Sequence, residues 1–153
     1  MSRSSNAAVG TSDVLAEAVG EQLARLVVRA RATTTQAAAR FHPDLPPAAF
    51  HVARWLASLG PGRTSEIAVG VAMDRSAVSR LIVALEGAGM VRVRPDLTDR
   101  RASVVSLTAA GRRHLARANE WKGARLFDRL AGWSEHDLAE LARLLAMFNS
   151  SET

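Results

Sequence analysis

The chain of 153 residues is 48% hydrophobic and 23% charged, an ordinary balance for one globular domain or two small lobes that need no disulfide or metal staple. It has no cysteine, which excludes a thiol nucleophile, a cysteine redox switch, a disulfide framework and any thiolate zinc site. The 20 basic and 15 acidic residues leave a formal charge of +5, and every basic residue except Lys122 is Arg, a bias that suits phosphate and guanine contact but that genome base composition also produces.

Residues 1–12, rich in Ser, Asn, Ala and Gly, read as a disordered tail. Arg3 is followed by no apolar core, so a signal peptide is not expected. No apolar run reaches the length of a membrane span, which leaves a cytoplasmic protein without membrane contact as the expectation. Over 13–40, Val14, Leu15, Val19, Leu23 and Leu26 recur at helical spacings and predict a first helix, with Thr11, Ser12 or Asp13 as its cap. Pro43, Pro46 and Pro47 interrupt it. A second helix of about a dozen residues carries Phe50, Val52, Ala53, Leu56 and Leu59, and Gly60, Pro61 and Gly62 end it in a tight turn.

Two short helices come next. Thr64 is placed to cap the first and Asp74 the second. In the second, Val78, Leu81, Ile82 and Leu85 stand at i, i+3, i+4 and i+7, an apolar stripe that must be buried. Gly87 and Gly89 stop this helix. Val91 and Val93 then alternate with Arg92 and Arg94 as a half-buried strand, and Ser103–Leu107 is a second strand across a charged loop. Thr108 reads as the cap of a long helix to about Leu130. Ser134 and Asp137 form a capping box before a final helix with Leu138, Leu141, Leu144, Leu145 and Phe148.

This order over 48–107 is the layout of a winged helix-turn-helix. Burying the Val78 stripe leaves the other face of that helix, Arg75, Ser76, Ser79, Arg80 and Val83, turned outward. Arg can grip guanine through two hydrogen bonds, Ser can reach phosphate or a base edge, and Val83 can meet a thymine methyl. The competing reading is a solvated face on a small domain that never meets DNA. The hairpin favours the first, because residues 74–113 hold eight Arg against four acids, most of the chain's net charge. Arg94, Asp99, Arg100 and Arg101 are the candidate wing residues, with Asp99 and Arg101 expected to pair and hold the loop's shape. An arginine at the tip can enter a narrow minor groove.

The stretch TSEIAVGVAMDRSAVSRLIVALEGAGMVRVRPDLTDRRASVVSLTAAGR, residues 64–112, resembles the MarR family of bacterial transcriptional regulators. Most specific are LEGAGMVRVR, the DRR of 99–101, and Val105, Leu107, Thr108 and Gly111 spaced as V-x-L-T-x-x-G. The resemblance implies a mainly α fold, a winged helix-turn-helix with a small hairpin wing flanked by N- and C-terminal dimerisation helices. It assigns 13–45 to an N-terminal dimerisation helix and loop, 46–108 to the DNA-binding module and 109–150 to C-terminal dimerisation helices. It further implies a homodimer on palindromic double-stranded DNA, usually a repressor released by a small, often aromatic, anion. Residues 68–73 are more apolar than the charged segment usual there, and Gly70 is expected to weaken the short helix by about 1 kcal/mol relative to Ala. The apolar excess of the terminal helices points independently to an interface.

His42, His51, His114 and His136 lie on separate segments without metal-ligand spacing, and no nucleophile elbow or phosphate loop is present. The sequence therefore predicts no catalytic residues, metal or cofactor. A small-molecule effector pocket is expected where the dimerisation lobe meets the winged module, lined by Phe41, His42, His51, Arg54 and Trp55, although these aromatics equally suit core filling. Trp121 and Trp133 are expected to pack among the C-terminal helices. The rival function is a protein-binding adaptor that uses Val69, Val71 and Met73 as an exposed apolar patch and reads no DNA sequence.

Overall fold

Three prolines set the first corner of the chain. The computed structural model describes residues 4–96, 99 and 102–150, with side chains from residue 10 onward. Helix α1, Ser4–Phe41, runs 38 residues and stops before Pro43. It begins at Ser4 and not at Asp13, so the stretch expected as a disordered tail is helical from that residue on. Ala7 and Ala8 favour such an extension, since adding residues to an existing helix avoids the cost of a new nucleus. Helix α2, Pro47–Leu59, starts with proline at its first turn, where the missing amide would be unpaired in any case.

Strand β1, Gly62–Arg63, lies where the sequence predicts only a turn. Two residues carry no periodicity, and this strand exists only because it pairs antiparallel with β3. Helix α3, Thr64–Gly70, is capped by Arg63 and not Thr64: the Arg63 amide donates to Glu66 Oε2 at 2.7 Å. Helix α4, Arg75–Gly87, has Asp74 at its N-cap as expected, but the aspartate side chain makes no capping hydrogen bond. Strands β2, Val91–Pro95, and β3, Ser103–Leu107, form the expected hairpin with Val93 opposite Val105. The sheet order is β1-β3-β2, so the wing is rooted in the body through β3.

Helix α5, Ala109–Leu130, is capped by Thr108, whose hydroxyl accepts from the Gly111 amide at 2.9 Å and donates to the Gly89 carbonyl at 2.7 Å. Helix α6, Glu135–Ser150, starts at Ser134, which accepts from the Asp137 amide at 3.1 Å. The chain is thus mainly helical, a winged helix-turn-helix between long terminal helices.

One core joins these elements. Phe41, Phe50, Val52, Ile67, Val78, Leu85 and Val105 are its fully buried large side chains. The Val78, Leu81, Ile82, Leu85 stripe is buried as the spacing predicts, whereas Leu59 is 69% exposed at the end of α2. Each close-packed contact here has a residue type that permits it. The Trp55 indole occupies the space that a Cβ on Gly70 would fill, and a Cβ on Gly62 would meet the same ring. Gly70, a weakness by helix propensity alone, is what lets α3 sit on α2. Gly111 similarly lets the start of α5 approach the Met90 carbonyl.

The turn between α3 and α4 holds its strain at Ala72, which takes φ 53, the left-handed region where Cβ crowds the backbone. Ala72→Gly is expected to raise stability by about 1 kcal/mol, read as a shift in the denaturant midpoint at unchanged slope.

Candidate nucleic-acid interface

The packing of α4 decides which of its residues face solvent. With one stripe buried against α2 and α3, Arg75, Ser76, Ser79, Arg80 and Val83 are all exposed, and Val83 retains 68% of its surface. The structure brings these five residues together on a single outward helix face. Short serines between arginines keep that face narrow, as insertion into a major groove requires.

The wing continues the positive surface. Arg92 and Arg94 are exposed on β2. Among the described residues, neither these two nor Arg75 and Arg80 enter an ion pair, so four guanidinium groups keep their donors for an external acceptor. Asp99 is exposed near the wing tip, while Arg100, Arg101 and the expected pairing of Asp99 with Arg101 lie outside the described residues. The hairpin is held against the end of α4 by a contact absent from the sequence reading: Glu86 Oε1 accepts from the Val93 amide at 3.0 Å. A carboxylate seven residues before the strand amide it holds gives no sequence signal for this.

The five residues expected to line one effector pocket are not brought together. Phe41 lies inside the core against Phe50, ring centroids 5.9 Å apart. Trp55 fills the notch made by Gly62 and Gly70. His42 Nδ1 accepts from the Asp44 amide at 3.4 Å in the turn after α1. Adjacent helix residues project about 100° apart, so Arg54 and Trp55 point to different surroundings.

Arg54 and His51 instead line two different cavities, both of which Ala30 of α1 also lines. One, of about 380 Å³ between α1, α2 and α5, has Leu26, Ala30 and Leu126 as apolar walls and Arg54, Lys122, Arg125 and Arg129 as cations, with no acid in its lining. Burial, followed by repulsion from Arg54, holds the Lys122 ammonium below its ordinary pKa. Lys122 Nζ donates to Thr34 Oγ1 at 3.2 Å, tying α5 to α1. The second cavity, of about 450 Å³, is lined by Val27, Arg31, Thr34, Pro47 and His51 among others. Trp121 packs as expected, under the Arg40 guanidinium at 3.8 Å from its ring centroid, but Trp133 is 49% exposed. No group of His, Asp and Glu among the described residues is arranged to hold a metal ion.

Comparison with known proteins places these features. Residues 45–103 match the MarR family model, a span that holds α2 to the start of β3. The transcriptional repressor CouR, in a structure bound to a 23-mer DNA duplex, is 30% identical and superposes with a TM-score of 0.66 over 88% of this chain and 94% of that one. YusO from Bacillus subtilis superposes with a TM-score of 0.77 at 21% identity, covering 92% of this chain and 98% of YusO. Apo wild-type MarR from E. coli gives a TM-score of 0.67 at 21% identity over 82% and 95% of the two chains. At these lower identities the likeness is one of fold. No curated protein matches the sequence.

Proposed function

Because this chain belongs to the MarR family of transcriptional regulators, we propose that it acts as a homodimer that reads a palindromic DNA operator and represses transcription until a small aromatic anion releases it. The outward face of α4 carries the reading: Arg75, Ser76, Ser79, Arg80 and Val83 are exposed together, beside a wing strand whose Arg92 and Arg94 enter no ion pair among the described residues. In this account α4 lies in the major groove, Arg75 and Arg80 contact guanine edges, and the serines and Arg94 take phosphates. Asp99, Arg100 and Arg101 belong to the wing that reaches the flanking minor groove. CouR bound to a DNA duplex supports the DNA partner.

Dimerisation follows from what one copy leaves uncovered. Helix α6 buries none of its residues. Val19, Leu26, Phe127, Leu144, Met147 and Phe148 are each more than a third exposed on α1, α5 and α6. Apolar surface on that scale calls for a second copy, and two-fold symmetry sets two winged modules beside one duplex. Residues 13–45 and 109–150 thereby form the dimerisation lobe and 46–108 the DNA-binding module. Half-sites are then spaced about 34 Å apart or at a multiple of that distance.

The effector is assigned to the cavity holding Arg54 and Lys122, since its four cations suit an anion and its Leu and Ala walls suit a ring. Function is placed in the cytoplasm with the operator; no described helix is long and apolar enough to cross a membrane.

Selection from a random-sequence duplex library at physiological salt tests the reading. Recovery of one palindromic motif is expected. Recovery of unrelated fragments of low affinity would overturn it and favour the adaptor role, for which Val69 offers an apolar side chain 84% exposed.

A further inference from the structure

The wing has a second anchor that none of the DNA-facing residues supplies. Its ladder ends at Pro95 opposite Ser103, and the loop beyond is closed by Asp96 N–H to Ala102 O at 3.0 Å. At that point the Asp96 carboxylate turns back to the body. Its Oδ2 accepts from Arg63 Nε at 2.8 Å and from Arg63 Nη2 at 2.6 Å. The Asp96 side chain is only 12% exposed and that of Arg63 39%, so this pair is shielded more than an ordinary surface bridge. Arg63 is itself fixed at its other end, where its amide donates to Glu66 Oε2 at 2.7 Å and starts α3. One residue therefore holds the first helix of the helix-turn-helix by its backbone and the base of the wing by its side chain.

We propose that Arg63 is a positioning residue for DNA binding, which through Asp96 sets the wing at the angle that lets it and α4 reach the same duplex together. Strand β1 cannot do this alone, because it pairs with β3 through only Gly62 and Arg63, next to Val105 and Val104 at the middle of the hairpin. The ion pair acts farther out, where the loop leaves the ladder. It also cancels a carboxylate that would otherwise face the phosphates. This inference rests on the DNA-binding reading above.

The discriminating variant is Asp96→Asn. It removes a negative charge from a DNA-facing module, so electrostatics alone makes it bind DNA more tightly. A positioning role makes it bind more weakly.

The experiment uses the full chain and the duplex that the wild type selects from a random-sequence library, with affinity titrations and hydroxyl-radical footprints. Arg63→Ala and Asp96→Asn are each expected to weaken binding about fivefold, the scale of one partly shielded ion pair. The double variant is expected to match either single, because both remove the same link. Exchanging the charges, with Arg63→Asp and Asp96→Arg together, is expected to recover most of the affinity. In the singles the protection on the wing's flank is lost while the central protection from α4 remains, a selective change that a general loss of stability does not produce. Tighter binding by Asp96→Asn, or an unchanged footprint in both singles, would overturn the positioning role while leaving the DNA reading intact. A wild-type chain that selects no duplex would overturn both.

Discussion

Phe127→Glu combined with Phe148→Glu is expected to turn the protein into a folded monomer that binds its operator about 100-fold more weakly or worse. Both side chains lie well exposed in the single copy, at 74% and 59%, and neither contributes to the core around Val78 and Phe50. The substitutions therefore spare the winged module. In the proposed dimer each phenyl group would contribute about 1.5–3 kcal/mol of burial, and each glutamate would carry a charge into that buried surface. A monomer still meets a half-site, but it loses the gain from a second, tethered module. Sedimentation velocity and a duplex titration check the two parts separately. A variant that stays dimeric would remove these helix faces from the interface.

Arg80→Ala is expected to cost about 1–3 kcal/mol of discrimination at a single base position, ten- to a hundredfold in relative affinity, while affinity for unrelated duplexes changes far less. Arg80 is exposed on the α4 face, one turn after Ser76 and one before Val83, and no carboxylate among the described residues pairs with its guanidinium. Lysine in its place is not expected to restore specificity, since one ammonium cannot reproduce the paired donors of a fork. Arg94→Ala provides the contrast. On the wing strand it is assigned a phosphate, so its loss should weaken all duplexes alike and lower the salt slope by about one unit. Competition titrations against single-base variants, at several salt concentrations, distinguish the two patterns. Equal losses on every duplex for both variants would reverse the assignment of Arg80 to a base.

The parts of this molecule that the sequence makes legible are those governed by a local period or a local bond. Val78, Leu81, Ile82 and Leu85 reveal the buried stripe of α4, and with it the exposed one, because both follow from 3.6 residues per turn. Thr108 and Ser134 cap their helices as read, since each bond spans only three residues. What escapes is set by distant partners. Gly62 and Arg63 are a strand only through Val104 and Val105. Gly70 looks like a defect until the Trp55 ring is seen against it. The scattering of Phe41, His42, His51, Arg54 and Trp55 has the same cause, since proximity in sequence cannot show that Phe41 turns to Phe50 while Arg54 lines a cavity with Lys122. Arg63 and Asp96 are separated by 33 residues and join only across the sheet.

The central claim is that the solvent face of α4 enters DNA, and backbone amide shifts followed while the selected duplex is added test it most directly. The account predicts that the largest changes fall on residues 75–83, with a second set on 91–94 and 103–107, while α6 stays unmoved within the proposed dimer. Shifts gathered instead around Val69 on the outer side of α3, with Ser76, Ser79 and Arg80 unchanged at saturating duplex, would contradict it.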